Sequence, residues 1–479
     1  MADSRQRSWG MEPAARSAEP SSPPPPVGVV LAAGRSERLA KVTGGTSKAL
    51  LRVGGTTLVE RAVRSLRDGG VTVVVVVVGH DADAVSAAVG GLPGVRVVRS
   101  EHWELGNGAS LAAAEPAVGA APLFAVTCAD HVFAEGSLHE LLGAGEPAVL
   151  VDPDPVSTAW DEGTRVRVEG GRAFGFGKQL VEPGIDCGAF VLDRTVFDGY
   201  RTAAAEGDHS LAGAISRVAT ARPVRAVTLE APRWWQDVDT PQDLVAARNL
   251  VRRSLGKDTD GPVSRHLNRP ISTRLTMALA PVRVPPGMLS VLVLLTGLWA
   301  AWSLSASRAV VGGLLVQATS VLDGTDGETA RLRRRVSTRG AWLDTVFDRM
   351  VDAAIVAGLS LWQWNNPSKG FRVLIIGMSM AGWALIALTA KRTWPAIPAL
   401  ERPAPAERRL GLLLGGRDGR LLLIAVFALA ARPELALATA ALAWGSTVLI
   451  RFVLLLARPV WRPEPAAPRQ VGEAAQGDL

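Results

Sequence analysis

The chain has almost no cysteine, little lysine and no apolar run near its start. Cys128 and Cys187 are the whole complement in 479 residues, so a disulfide scaffold is excluded and a reducing cytosol is expected. Of 52 basic residues only six are lysine, leaving 46 arginines. Residues 1–26 are polar, end in the run Pro23 to Pro26 and hold no apolar signal core. They read as a disordered tail and not as an export signal. Internal repeats are also lacking, and the composition excludes a collagen-like fibre or disorder of the whole chain. What is present is a 48% hydrophobic share and a positive mean hydropathy beside 20% charged residues. One soluble globule rarely averages this way, whereas a soluble part joined to a membrane part does. The net charge of +7 fits nucleic acid or a cytoplasmic membrane face, and the placement of the arginines decides between them.

From Val27 short β-branched runs alternate with alanine-rich amphipathic stretches. Strands are expected at 27–32, 71–78, 95–98 and 122–127, with helices near 56–69, 82–90 and 109–118. This rhythm predicts an α/β, doubly wound, Rossmann-like domain over 27–254 with a mostly parallel sheet. The unbroken run Val71 to Val78 suits a central strand buried on both faces. Residues 142–232 are less regular and are expected to hold substrate-side strands, and 241–254 reads as a closing helix. A basic linker and juxtamembrane helix occupy 255–285.

An all-α polytopic membrane domain is expected over 286–460, with a tail at 461–479. Six spans read at 287–305, 309–330, 340–363, 372–390, 419–433 and 436–457, each near the roughly 20 residues that cross the hydrocarbon core. Loop 331–339 carries five arginines, and 391–418 carries Lys391, Arg392, Arg402, Arg408, Arg409 and Arg417. The opposite loops carry only Arg308, Lys369, Arg372 and Arg432. This asymmetry places the N-terminal domain and the C-terminus on the cytoplasmic side of a multi-pass inner-membrane protein. It explains the arginine excess better than nucleic acid does, so no nucleic-acid partner is expected.

Chemistry concentrates in two places. LAAGRSERL (31–39) follows the first strand directly; Leu31, Ala32, Ala33 and Gly34 let backbone approach a nucleotide, and the N–H groups beyond can cradle phosphates. Arg38 and Lys48 bring positive charge to the same edge. Asp130 lies just past a strand end, where open α/β sheets bind ligands, and Asp237 lies in WWQDVDTPQDL. Two carboxylates at one edge would hold Mg2+ against a triphosphate. Lys178 in FGFGK could receive a second phosphate, and Asn107, Gly108 and Ser110 in GNGASL could read a base edge. Cys128, two residues from Asp130, has no paired base and reads as a small buried filler; His131 likewise reads as structural.

These segments, with SKALLRVGG, ADHVF and GIDCGAF in the same order, resemble the sugar-phosphate nucleotidyltransferases, and most of all the inositol-1-phosphate cytidylyltransferases. The resemblance covers about 27–250. It implies CTP as substrate, with Arg38 and Lys48 stabilising charge on the α-phosphate and the leaving pyrophosphate. Asp130 and Asp237 would bind Mg2+ (or Mn2+), and Lys178 the phosphate of the attacking polyol phosphate. Two departures stand out: Ser36 where many relatives have glycine, and Ser47 where they have proline before the lysine. Ser47 bears on how firmly Lys48 is held.

The second place is LDGTDGETARLRRRVSTRGAWLDTVFDRMVD. Asp323, Asp326, Gly327 and Ala330 fall at i, i+3, i+4 and i+7 on one helix face. Asp344 and Asp348 share a face of the next helix, with Gly340 one turn before. Each ionised carboxylate within a span costs about 2.5–3.5 kcal/mol on insertion scales. A pair of divalent cations is the natural compensation. Interfacial salt bridges with Arg331 to Arg335 are the alternative, but they would not require Gly327, Ala330 and Gly340.

This pattern resembles the CDP-alcohol phosphotransferase signature at every position, over about 260–460. The resemblance implies that Asp323, Asp326 and Asp344 hold two metal ions, Mg2+ or Mn2+. Asp348 would be a further ligand and the base for the acceptor hydroxyl. Gly327 and Ala330 would leave room for the cytidine, and Arg331 would pair with the diphosphate of the CDP-alcohol. KDTDGPVSRHLNRPIS (257–272) and GGRDGRLLLI (415–424) resemble, more narrowly, fused enzymes that make CDP-inositol and then di-myo-inositol phosphate phosphate. There the acceptor carries a phosphate, for which Lys391, Arg392, Arg417 and Arg420 are candidates. Gly287 in VPPGMLS replaces an asparagine usual in relatives, which bears on capping of the first span.

The sequence therefore predicts a fused two-step enzyme: inositol 1-phosphate plus CTP to CDP-inositol, then transfer of phosphoinositol to an acceptor hydroxyl with release of CMP. Membrane lipid surrounds the second half, and a homodimer through it is left open. Other readings are a phospholipid synthase using CDP-diacylglycerol, a different polyol or phosphonate head group, or a first domain that only binds nucleotide. Intact Lys48, Asp130 and Asp237 stand against the last.

Overall fold

The computed structural model describes residues 23–35, 37–155, 163–181, 184–257, 260–282, 284, 287–333, 338–365, 376, 380 and 416–443. Two compact units divide the chain, one ending at Ser254 and the other starting at Leu255.

The first unit holds thirteen described strands: β1 (Val27–Ala32), β2 (Arg52–Val53), β3 (Thr56–Thr57), β4 (Val73–Val78), β5 (Val95–Arg99), β6 (Phe124–Cys128), β7 (His131–Phe133), β8 (Ala148–Asp152), β9 (Arg165–Glu169), β10 (Arg172–Gly177), β11 (Gly184–Leu192), β12 (Val224–Thr228) and β13 (Trp235–Asp237). Nine form one sheet in the order β5-β4-β1-β6-β11-β8-β12-β10-β9. The half built from 27–128 is parallel throughout, as the βαβ rhythm predicts. The other half is mixed: β11 runs antiparallel to both β6 and β8, while β12 returns parallel to β8. The less regular segment thus adds hairpin-type pairings where a purely parallel sheet would need more crossover helices.

β4 shows why its run lacks alternation. Val74, Val76 and Val78 enter the core on one face of the sheet and Val75 and Val77 the core on the other. The helices are α1 (Leu58–Asp68), α2 (Ala82–Val89), α3 (Asn107–Ala113), α4 (Thr195–Ala205), α5 (Leu211–Ala221) and α6 (Pro241–Arg253), besides shorter turns. α1 and α6 each start on a capping box, Thr57 with Glu60 and Thr240 with Asp243. Each box satisfies two helix-end N–H groups and fixes where the chain leaves the sheet edge.

The second unit is helical. A π-helical turn (Ser264–Asn268) leads into α7 (Arg269–Leu279), followed by α8 (Met288–Ser305), α9 (Ala309–Leu332), α10 (Thr338–Asn365), α11 (Gly416–Leu429) and α12 (Pro433–Ala443). α8 packs on α9 and α10, and α9 also packs on α7 and α11. Small residues let α8 and α10 close up: a Cβ at Gly358 would lie 2.3 Å from the Ala301 carbonyl oxygen. Gly287 caps α8 in a left-handed conformation, φ 82°, and its carbonyl accepts from Val291 N. Backbone alone therefore serves at this helix start, with no side-chain cap.

Of the six expected spans, α8 is the described helix that is long and apolar enough to cross a membrane, with 18 residues and mean hydropathy 1.7. α9 and α10 are longer, 24 and 28 residues, but carry the motif carboxylates. The fourth expected span, apart from residues 376 and 380, lies outside the described residues, as do Lys391, Arg392 and the end of the sixth.

Two candidate active sites

In the first unit the turn after β1 opens onto a cavity. Leu31, Ala32, Ala33 and Gly34 line it on one side, Asn107 and Ser110 on another, and Lys48, Cys128 and Asp130 close the floor. Asn107 and Gly108 also build the wall. Asn107 Oδ1 accepts from Leu211 N at 2.7 Å, and Gly108 N donates to the His209 carbonyl at 3.0 Å. A Cβ at Gly108 would lie 2.6 Å from that oxygen, so only glycine fits. Ser110 is buried and donates to the Gly106 carbonyl.

A short ribbon brings the acids together. β7 pairs antiparallel with β13 so that His131 faces Asp237, and Val238 N donates to the Asp130 carbonyl. Oxygens of Asp130, Asp237 and Asp239 come within 4.8 Å of one another. Lys48 Nζ lies 2.5 Å from Asp130 Oδ2 and also pairs with Asp239, whose other oxygen pairs with Arg38. Ser47 does not loosen this lysine. It is buried, its Oγ accepts from Ala49 N and its N–H donates to Asp81, so it starts the 3-10 turn that carries Lys48.

Asp239 is a site residue that the sequence reading passed over. Its signal was the spacing D-V-D, which on extended chain turns Asp237 and Asp239 to one side. Trp103 lines the same cavity and was likewise missed. Lys178 stands exposed on the turn after β10 and is not among the residues lining this cavity.

The charges set one another. Burial opposes ionisation of Asp130, but Lys48 and His131 outweigh it and hold its carboxyl well below the usual carboxylate range. Burial also opposes the charge on Lys48; Asp130, Asp239 and Asp237 overcome it and hold the ammonium well above its usual range. Asp237 goes the other way: burial, with Asp130 and Asp239 beside it, pushes it up to about 6 against His131 and Lys48. Its Oδ1 is buried without a hydrogen-bond partner. An orphaned carboxylate oxygen beside two further carboxylates fits a hard divalent cation. Burial, then Asp130, pushes the Cys128 thiol up, which suits a filler and not a nucleophile.

His131 is fixed from three sides. Its Nδ1 lies 2.8 Å from Asp130 Oδ1, and its ring stacks on Trp235 at 5.4 Å. Gly188, at φ 67°, makes room: a Cβ there would lie 2.6 Å from His131 Nε2. A second cavity, lined by Asp152, Arg233, Trp234, Trp235 and Asp237, opens beside the acids.

In the second unit the two motif helices meet as the spacing predicts. Oxygens of Asp323 on α9 and of Asp344 and Asp348 on α10 lie within 4.8 Å of one another. Asp326 accepts from Ser290 Oγ on α8. Arg417, at the start of α11, reaches Asp323 at 3.1 Å and Asp348 at 2.8 Å. Its Nε also donates to Asp352 at 3.1 Å. Asp352 is buried and was missed, although it extends the series Asp344, Asp348, Asp352 by one more helical turn. Arg420 lines a small cavity with Asp352 and Arg417. Gly327 and Ala330 share the face of Asp323 and Asp326. Arg331 donates instead to the Leu255 carbonyl, at 2.7 Å and 3.2 Å. Three convergent carboxylates against one arginine again fit hard divalent cations.

Two family models match the chain: MobA-like NTP transferase domain over residues 28–221 and CDP-alcohol phosphatidyltransferase over 283–450. The chain is 39% identical over 438 residues to a bifunctional IPC transferase and DIPP synthase of Rubrobacter xylanophilus, covering 90% of this chain and 96% of that protein. Proteins of the same description from Aquifex aeolicus and Thermococcus kodakarensis are 33% and 32% identical, covering 83% and 84% of this chain and 91% and 90% of theirs. The chain belongs to the bifunctional IPC transferase and DIPP synthase family, a nucleotidyltransferase joined to a CDP-alcohol phosphotransferase.

Proposed function

We propose that the two units catalyse consecutive steps: CTP plus inositol 1-phosphate to CDP-inositol and pyrophosphate, then transfer of phosphoinositol to a hydroxyl of a second inositol phosphate, releasing CMP. One observation carries the reading. Each unit gathers three carboxylates within 4.8 Å and sets a cation against them, the arrangement phosphoryl chemistry needs twice if it occurs twice.

In the first step a phosphate oxygen of inositol 1-phosphate attacks the α-phosphorus of CTP and pyrophosphate leaves. Arg38 and Lys48 neutralise the charge that builds on the α-phosphate and leaving group. Asp130, Asp237 and Asp239 are the residues that would hold Mg2+ or Mn2+, which supplies neutralisation of the phosphates when bound. The backbone of 31–34 takes the triphosphate, while Asn107, Gly108 and Ser110 shape the base side. The attacking polyol phosphate is assigned to the cavity lined by Asp237, Trp235 and Arg233, which Lys178 does not line; the resemblance alone assigns Lys178 to its phosphate.

In the second step Asp348 takes the proton from the acceptor hydroxyl, which displaces CMP in line. Asp323, Asp326 and Asp344 would hold the metal, with Asp348 beside them. Gly327 and Ala330 leave room for cytidine, and Arg417 and Arg420 receive the acceptor phosphate. Arg331 faces the diphosphate only if it releases the Leu255 carbonyl.

The same reading assigns 27–254 to the nucleotidyltransferase domain, 255–285 to the linker and 286–460 to a six-span domain. It places both active sites and the C-terminus on the cytoplasmic side of the inner membrane. Arginine asymmetry supports the orientation. On α8, Val291, Leu295, Leu298 and Trp302 form an exposed apolar stripe suited to lipid or to a second copy of the domain.

The test supplies purified full-length protein with CTP and a panel of polyol phosphates and follows pyrophosphate, then CMP. Inositol 1-phosphate should be preferred. Asp130→Ala should abolish pyrophosphate release and leave CMP release from supplied CDP-inositol intact; equal loss of both overturns two independent sites.

A further inference from the structure

Glu328 lies within the motif segment, yet it faces away from the carboxylate cluster. It is fully buried, and its carboxylate takes three donors: Arg269 Nη1 at 2.5 Å, Ser272 Oγ at 2.6 Å and Thr276 Oγ1 at 2.7 Å. All three come from α7, the helix before the first span. Arg269 is held from its other side by Asp260, through two bonds of 2.7 Å and 2.8 Å.

The contact continues along α9. Gln317 Nε2 donates to Asn268 Oδ1 at 2.7 Å, and Asn268 Nδ2 donates to Ser320 Oγ at 3.0 Å. At Gly324 an added Cβ would lie 3.4 Å from Ser272 Cβ. Positions 317, 320, 324 and 328 recur every three or four residues and form one stripe. The metal-type carboxylates Asp323 and Asp326 occupy another. One helix thus presents two polar faces, and the second is gripped by the linker. Apolar packing alone would tolerate small rotations of α9 about its axis. A buried carboxylate with fixed donors does not, because any rotation leaves it unpaired.

We propose that Glu328 is a positioning residue: with Arg269 and Asp260 it forms a buried clamp through which α7 sets the rotation of α9, and so the aim of Asp323 and Asp326. The transfer site on this view includes the linker, which lies outside the helices that carry the chemistry. The proposal rests on the reading of Asp323 and Asp326 as metal ligands. That reading is tested apart by Asp323→Asn, which should stop CMP release whatever the clamp does.

The clamp is tested in the full chain. Glu328→Leu should lower CMP release from CDP-inositol by about 10–100-fold, the usual cost of losing a partner that orients a metal ligand. It should raise the Mg2+ concentration at half-maximal rate and leave pyrophosphate release unchanged. Glu328→Gln, whose Oε1 can still accept from Ser272 and whose amide N–H can donate to Thr276 Oγ1 in place of accepting from it, should retain most of the rate. A second readout needs neither metal nor turnover. Ser272→Cys with Gly324→Cys places two sulfurs at disulfide range and should oxidise readily in metal-free protein, more slowly when Glu328→Leu is added. Closing that disulfide should restore transfer to the Glu328→Leu chain. A Glu328→Leu protein with unaltered transfer and Mg2+ dependence overturns the proposal. So does a loss of rate with no change in Mg2+ dependence and no rescue by the cross-link, which would leave Glu328 as packing only. If Glu328→Leu does not accumulate, Arg269→Met carries the same three measurements.

Discussion

Replacing Lys48 by methionine isolates what one buried cation does for the first site. Three carboxylates share a space in which their oxygens lie within 4.8 Å. At an effective dielectric of about 20, each like-charge pair at that separation repels by about 3.5 kcal/mol. Lys48 answers this directly, 2.5 Å from Asp130 and paired with Asp239. The Lys48 and Asp130 side chains are each less than one-fifth exposed, so solvent screens the pair little. Methionine keeps the length of the side chain and removes the charge. Breaking one side of such a pair typically costs about 3–5 kcal/mol. Part of that will be relieved by proton uptake at Asp237, already pushed up to about 6. For a domain of this size about 2–4 °C accompanies each kcal/mol, so the first unit's melting transition should fall by roughly 10 °C in chelator. Mg2+ should raise the variant's transition by more than it raises the parent's, because a bound cation replaces the charge removed. Pyrophosphate release should fall by about 10²–10³-fold, the scale for losing one stabilising donor to developing charge. Calorimetry with and without Mg2+ and a coupled pyrophosphate assay read the three quantities. A Lys48→Met chain that melts with the parent and turns over at the parent rate refutes the argument, since Lys48 would then be a solvated surface charge.

Three further outcomes follow from particular contacts. Burial opposes the charge on His131, but Asp237 and Asp130 raise it to about 9, above its unfolded value of about 6.5. Its stabilisation is therefore full below about pH 6.5 and lost as pH rises towards 9. In chelator the first unit's melting temperature should decline across that window, and His131→Asn should flatten the decline. Asp348→Asn should bind Mn2+ nearly as the parent does, yet lose CMP release by about 10²–10⁴-fold; recovery of full rate on adding metal would make Asp348 a ligand and not the base. Gly358→Leu should force α8 and α10 apart, since even a Cβ would meet the Ala301 carbonyl at 2.3 Å. It should cost about 1–3 kcal/mol, seen as earlier loss of transfer activity on heating while pyrophosphate release is kept.

What the sequence determined by itself was everything carried by local period and spacing. Val71 to Val78, the turn at 31–34, the helical face of Asp323 and Asp326 and the pair Asp344 and Asp348 depend on neighbours within two turns or one strand, and all are legible without a fold. The tertiary structure decided which distant residues complete those patterns. β7 and β13 lie about a hundred residues apart in the chain, and only their pairing sets Asp237 and Asp239 against Asp130, Lys48 and Arg38. The mixed half of the sheet was hidden for a similar reason, because strand direction depends on partners and not on composition. Arg331 had the right charge and place for a diphosphate, but the start of the second unit offers its guanidinium the Leu255 carbonyl. Asp352 and Glu328 were visible as acids on apolar helices, yet what they serve depends on Arg417 and Arg269, and long polar side chains find one another only once helices pack.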